Sequence, residues 1–130
     1  MKEKIEKIKQ IADCNAPATE MQIKLCNTYL RQKNLPEIPA DFAAILMEAN
    51  GFIHEGATVF GATLAEDEDW FSDILANNSD STAGDSLLLG TSEDHNLLLA
   101  TGKFQVVDRT FGDIVMSSTD PIETITYFLS

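Results

Sequence analysis

The sequence predicts an α+β domain in which an antiparallel β-sheet, run as a meander, packs against N-terminal helices and a C-terminal helix. Three observations predict it. Apolar residues recur at three- and four-residue steps through the first third of the chain and again at its end. Between those regions lie short strand-like runs separated by glycine-containing turns. The turns are too short for parallel crossovers, which need about a dozen residues or more, so successive strands reverse direction. With 130 residues, of which 44% are apolar and 23% charged, the chain has the size and mixture of one domain with its own core. Residues 1–130 are read as that single domain, with 1–18 as an additional amphipathic helix at its N-terminus.

Ile5, Ile8, Ile11 and Ala12 form one apolar stripe with lysines facing outward, which predicts a first helix. After Asn15-Ala16-Pro17, Thr19 stands three residues before Gln22 as a capping box, so a second helix is expected to run to about Lys33 on Ile23, Cys26 and Leu30, flanked by Met21, Leu25 and Tyr29. Pro36 and Pro39 exclude a helix between Leu35 and Ile38. Pro39 suits the first turn of a third helix carrying Phe42, Ile45, Leu46 and Ala49, with Asp41 at the positive end of its dipole and Asn50-Gly51 as its stop.

Phe52 to His54 and Ala57 to Phe60 flank Glu55-Gly56, a tight hairpin. Trp70, Phe71, Ile74 and Leu75 stand at helical spacing, giving a short helix that ends near Asn77, and Asn78 to Asp85 reads as a polar loop. Strands are expected at Ser86 to Gly90, Asn96 to Thr101, Lys103 to Asp108 and Ile114 to Ser117, with Thr101-Gly102 as a short reversal. Asp120-Pro121-Ile122-Glu123 combines a cap, a proline at the first helical position and a reciprocal glutamate, which opens a closing helix on Ile122, Ile125, Phe128 and Leu129.

The formal charge is −12, and seven of the nine basic residues lie in the first 33 positions. The body of the domain is therefore strongly acidic, which disfavours nucleic acid and anionic membrane surfaces and favours a basic protein partner; solubility alone is the competing explanation. Apolar runs such as Leu97 to Ala100 are far too short to cross a bilayer, and the N-terminal residues alternate charge with isoleucine instead of forming a secretory signal. A cytoplasmic location is expected.

Catalytic motifs are missing from the sequence: no nucleophile elbow, phosphate loop, dinucleotide turn or zinc-protease helix occurs. Ser86 and Ser92 near Asp94 and His95 are neighbours in a turn, whereas catalytic triads are assembled from distant segments. His54 has no candidate nucleophile beside it. Cys14, Cys26, His54 and His95 match no zinc-site spacing, and both cysteines are read as reduced and partly buried. A calcium loop beginning at Asp67 fails because Phe71 and Ser72 fall where a ligand and a glycine are required. Paired acids for glycoside hydrolysis need a deeper cleft than so small a sheet builds. No enzyme activity, cofactor or metal is expected. The distinctive constellation is Glu66, Asp67, Glu68, Asp69, Trp70 and Asp73, acids beside aromatic residues, which suits contact with a basic partner; alternatively Trp70 and Phe71 staple a loop onto the sheet.

Several segments, in order, carry a family pattern: Leu35-Pro36 through Ile38-Pro39-Ala40-Asp41-Phe42, Ile45-Leu46, the Asn50-Gly51 stop, Phe60-Gly61, Asn77-Asn78, Leu87-Leu88-Leu89-Gly90, Leu97-Leu98-Leu99, and Phe104-Gln105-Val106-Val107-Asp108-Arg109 before a terminal helix. Over residues 20–130 this order resembles the SUKH superfamily, in its YrhA-like branch. The resemblance implies a single non-enzymatic α+β domain. Such domains often serve as immunity proteins that neutralise a cognate bacterial toxin of nuclease or deaminase type. Others are general interaction modules, including fungal regulators of cell-wall synthesis.

Overall fold

Leu87, Leu89, Leu97, Leu99, Phe104 and Val106 are all buried and all project from one face of a β-sheet, and the helices close over that face. A computed structural model describes residues 2–63, 73–78 and 85–130. The elements run in the order α1 (Lys2–Ile11), β1 (Asp13–Cys14), α2 (Glu20–Gln32), α3 (Ala40–Leu46), β2 (Phe52–His54), β3 (Ala57–Val59), α4 (Ile74–Asn77), β4 (Ser86–Thr91), β5 (His95–Ala100), β6 (Lys103–Asp108), β7 (Ile114–Ser118) and α5 (Pro121–Leu129). Among the described residues the strands form one sheet in sequence order, β1 to β7, with every neighbour antiparallel. The α+β meander follows the sequence expectation.

The local signals act as read. Thr19 Oγ1 accepts from the Gln22 amide at 3.1 Å while Gln22 Oε1 accepts from the Thr19 amide at 2.9 Å, the reciprocal box that starts α2. Glu55-Gly56 and Thr101-Gly102 both hold positive φ at each central residue, the backbone that closes a two-residue hairpin in line with strand twist. Asp120 caps α5 through the Ile122 and Glu123 amides, with Pro121 next to it.

Other details differ. The two-residue β1 is absent from the sequence reading; Asp13 and Cys14 have no periodicity of their own and become a strand by pairing with Ile53 and Phe52. Cys14 is exposed, not partly buried, because it lies on β1, an edge strand of the sheet. Ile11 leaves the α1 stripe and stands 53% exposed, since the chain turns into β1 directly after it. Met21, Leu25 and Tyr29 are exposed as well. Pro39 is the N-cap of α3 and not its first turn, and that helix ends at Leu46, before Ala49. Helix α4 begins only at Ile74, because Asp73 has extended dihedrals and caps it. Glu123 does not reach back to the Asp120 amide; Ser118 Oγ takes that amide at 3.0 Å and donates to Glu123 at 3.2 Å.

The helices press Ile5 and Ile8 of α1, Ile23, Cys26 and Leu30 of α2, Phe42 and Ile45 of α3, and Ile125 and Phe128 of α5 into one core. The Phe42 and Phe104 rings stack at 6.0 Å, a pairing of helix with sheet worth about 1 kcal/mol beyond the area it buries.

Burial, and secondarily the Asp73 carboxylate, push the Cys26 thiol from its ordinary 9.0 up to about 12. The folded chain keeps this proton while the unfolded chain releases it. The contribution to stability is therefore complete below pH 9 and is lost as pH rises from about 9 to about 12, by about 1 kcal/mol per pH unit. With a thiol reagent at neutral pH, one cysteine, Cys14, is expected to react quickly and Cys26 only after denaturant is added; two rapid equivalents in the native state would contradict the burial.

Candidate interaction surface

Two turns meet at one end of the sheet. The first, between β4 and β5, is closed by Ser92, whose amide donates to the His95 carbonyl at 2.8 Å and whose Oγ accepts the His95 amide at 3.1 Å. The second, between β6 and β7, is closed by Asp108: its amide donates to the Asp113 carbonyl at 2.8 Å, its carbonyl accepts from the Gly112 amide at 2.8 Å, and its carboxylate accepts from the Thr110 amide at 2.9 Å. Arg109 clamps the turns together. Its amide donates to the Asp94 carbonyl at 2.9 Å and its guanidinium to the Ser92 carbonyl at 2.7 Å.

The clamped turns carry Glu93, Asp94 and Asp113, all exposed, and Phe111, 80% exposed in the same turn as Asp113. Ile114 and Val115, the first residues of β7, extend the apolar surface from the turn onto the sheet edge. An exposed aromatic side chain that shares a hydrogen-bonded frame with carboxylates can anchor a partner while the acids select for positive charge. The sequence reading missed this surface. A lone phenylalanine in Thr110-Phe111-Gly112-Asp113 has no helical or strand period, and it takes the folded hairpin to show that no core receives it.

Of the residues expected to contact a partner, Glu66, Asp67, Glu68, Asp69 and Trp70 lie outside the described residues, as does Phe71. Asp73 is described and is 1% exposed. Its Oδ1 accepts from the Thr63 amide at 3.1 Å and the Thr63 hydroxyl at 3.0 Å, and its Oδ2 from the Ala76 amide at 3.0 Å. This carboxylate holds the fold together and is not a contact group: one helix start and the strand-end segment at Thr63 are joined through it. Both ends of 64–72 are thereby held at one point. Asn78 closes the next junction in the same way, donating to the Ile74 and Leu88 carbonyls at 2.7 and 2.9 Å and accepting from the Leu88 amide at 2.9 Å, so that it fills a place in the β4 ladder.

The groups weighed for catalysis are dispersed. The Ser92 hydroxyl is engaged by the His95 backbone, not by its ring. His54 and His95 lie on β2 and β5, three strand spacings or about 14 Å apart across the sheet. Among the described residues no cluster of three His, Cys, Asp or Glu side chains could hold a metal ion. A groove of about 460 Å³ runs between α1 and α5 over Ile8, Ile11 and Ile122, with Lys4 and Lys7 on one rim and Asp120 and Glu123 on the other. Its hydroxyl, on Thr126, donates to the Ile122 carbonyl at 2.8 Å, and its Asp120 carboxylate caps α5. Among the described residues, no helix is long and apolar enough to cross a membrane.

The described residues thus form an α+β domain, an antiparallel seven-stranded meander covered on one face by helices, with acids and an exposed aromatic residue at one end. No family model matches the chain, and no curated protein matches it.

Proposed function

We propose that this chain is a non-enzymatic protein-binding domain, an immunity protein that captures and neutralises a basic toxin domain of nuclease or deaminase type. The observation that carries the reading is Phe111, 80% exposed on a turn that Arg109 clamps to its neighbour, with Glu93, Asp94 and Asp113 exposed on the same two turns, in a chain of net charge −12. The order of segments that resembles the SUKH superfamily supports the same reading. An enzyme that acts on nucleic acid presents a basic cleft, and a rigid acidic surface complements it. The charge speeds encounter, and the buried aromatic anchor slows release. The acids of 66–69 contribute to the net charge of −12.

Co-expression with the product of the neighbouring gene is expected to restore growth that this product arrests when expressed alone, and the two purified chains should bind. Reversing Glu93, Asp94 and Asp113 to lysine should slow association by about tenfold or more at low ionic strength, with the difference shrinking as salt rises. Phe111→Ala should instead speed dissociation by about thirtyfold, equivalent to about 2 kcal/mol. Growth that is not restored, together with no binding to the basic domain, would overturn the reading.

A further inference from the structure

The two edges of the sheet are built differently. β1 has two residues and carries a charge, Asp13, which is how natural sheets blunt an edge. β7 has five residues, Ile-Val-Met-Ser-Ser, with neither charge nor proline. Alternate residues of such a strand aim their N–H and C=O groups away from the sheet, and among the described residues no strand pairs with that side of β7. Ile114 and Val115 are exposed along it. Asp113 stands before its first residue, and the hydroxyl of its last, Ser118, donates to the exposed Glu123 at 3.2 Å, so a neutral strand is bracketed by carboxylates.

We propose that β7 is a strand-addition site at which an extended segment of the basic partner pairs as an eighth strand, with apolar side chains over Ile114 and Val115 and Lys or Arg at its ends facing Asp113 and Glu123. The inference rests on the proposed function and specifies how the partner is held. Main-chain hydrogen bonds supply the affinity of strand addition, and the flanking charges set its register. A β-bulge, where the register shifts between Val106 and Val107, twists the start of β7 and limits the addition to a short segment. A second copy of this chain fits less well. Antiparallel self-pairing centred on Met116 brings Asp113 of each copy beside Thr119 and Asp120 of the other, acid against acid twice, in chains of charge −12.

The test uses the full chain and a synthetic peptide, Lys-Val-Thr-Ile-Thr-Val-Lys, with backbone amide shifts and hydrogen exchange as readouts. Saturable shifts at 114–118 and slowed exchange at alternate amides of β7 are expected. The same peptide with methylated backbone nitrogens, and a version with Glu at both ends, should each bind about tenfold more weakly or worse. Equal binding of the methylated peptide would overturn strand addition while leaving an acidic capture surface intact. Equal binding of the Glu-ended peptide would overturn the charge selection on which the proposed function also depends. Shifts confined to other elements, no binding at all, or a peptide-independent dimer protected at 114–118 would each overturn the inference.

Discussion

Gly61→Ala is expected to cost about 3 to 5 kcal/mol, a large share of what a domain of this size possesses. A Cβ at position 61 falls well inside van der Waals contact with both the main-chain oxygen and the Oδ1 of Asn50, and 2.7 Å from its carbonyl carbon. Backbone atoms cannot swing aside as a flexible side-chain tip does. Asn50 is itself fixed, buried at 3% exposure, with its Oδ1 accepting from the Ala62 amide at 2.8 Å and its carbonyl accepting from Asn15 Nδ2 at 3.2 Å. Making room therefore breaks a buried hydrogen bond, at about 1 to 3 kcal/mol, and strains the packing around it by a similar amount. In urea the midpoint should fall by about 2 M with little change in slope. A shift below about 0.5 M would show that the Asn50 turn is not the rigid support described.

Asp73→Ala should destabilise the fold by about 3 kcal/mol or more, because the Thr63 amide and hydroxyl and the Ala76 amide lose their acceptor in a buried place. Asp73→Asn is expected to cost less, about 1 to 2 kcal/mol, since an amide oxygen replaces one acceptor oxygen and its nitrogen cannot replace the other. Both values come from urea unfolding. A loss under about 0.5 kcal/mol for the alanine variant would return Asp73 to the list of surface acids available to a partner. The Cys26 thiol gives a second readout, because removing the Asp73 charge takes away one of the two causes that hold its pKa up.

Much of the fold was legible in the sequence because its signals are local. The Thr19 and Asp120 caps, the hairpin pairs Glu55-Gly56 and Thr101-Gly102, and the short apolar runs of β4 to β6 each act within a few positions of themselves. The register shifts in β4 and β7 were not legible: at Leu88 to Gly90 the extra residue is accommodated because Gly90 lets Phe128 of α5 and the Thr58 carbonyl close in. The acidic run at 66–69 was visible as charge, whereas the tip built by Glu93, Asp94, Phe111 and Asp113 was not, since its members come from two turns joined by Arg109.

By itself, then, the sequence determined the fold class, the order of helices and strands apart from β1, and the acidic character, all of which depend on neighbouring residues or on simple sums over the chain. Only the tertiary structure decided that Asp73 and Asn78 are internal fasteners, that Cys14 belongs to a strand, that Phe111 has no core to enter, and that β7 ends the sheet as an uncharged edge. Those outcomes depend on which distant segment occupies the adjoining space, and no local pattern of side chains encodes that neighbour.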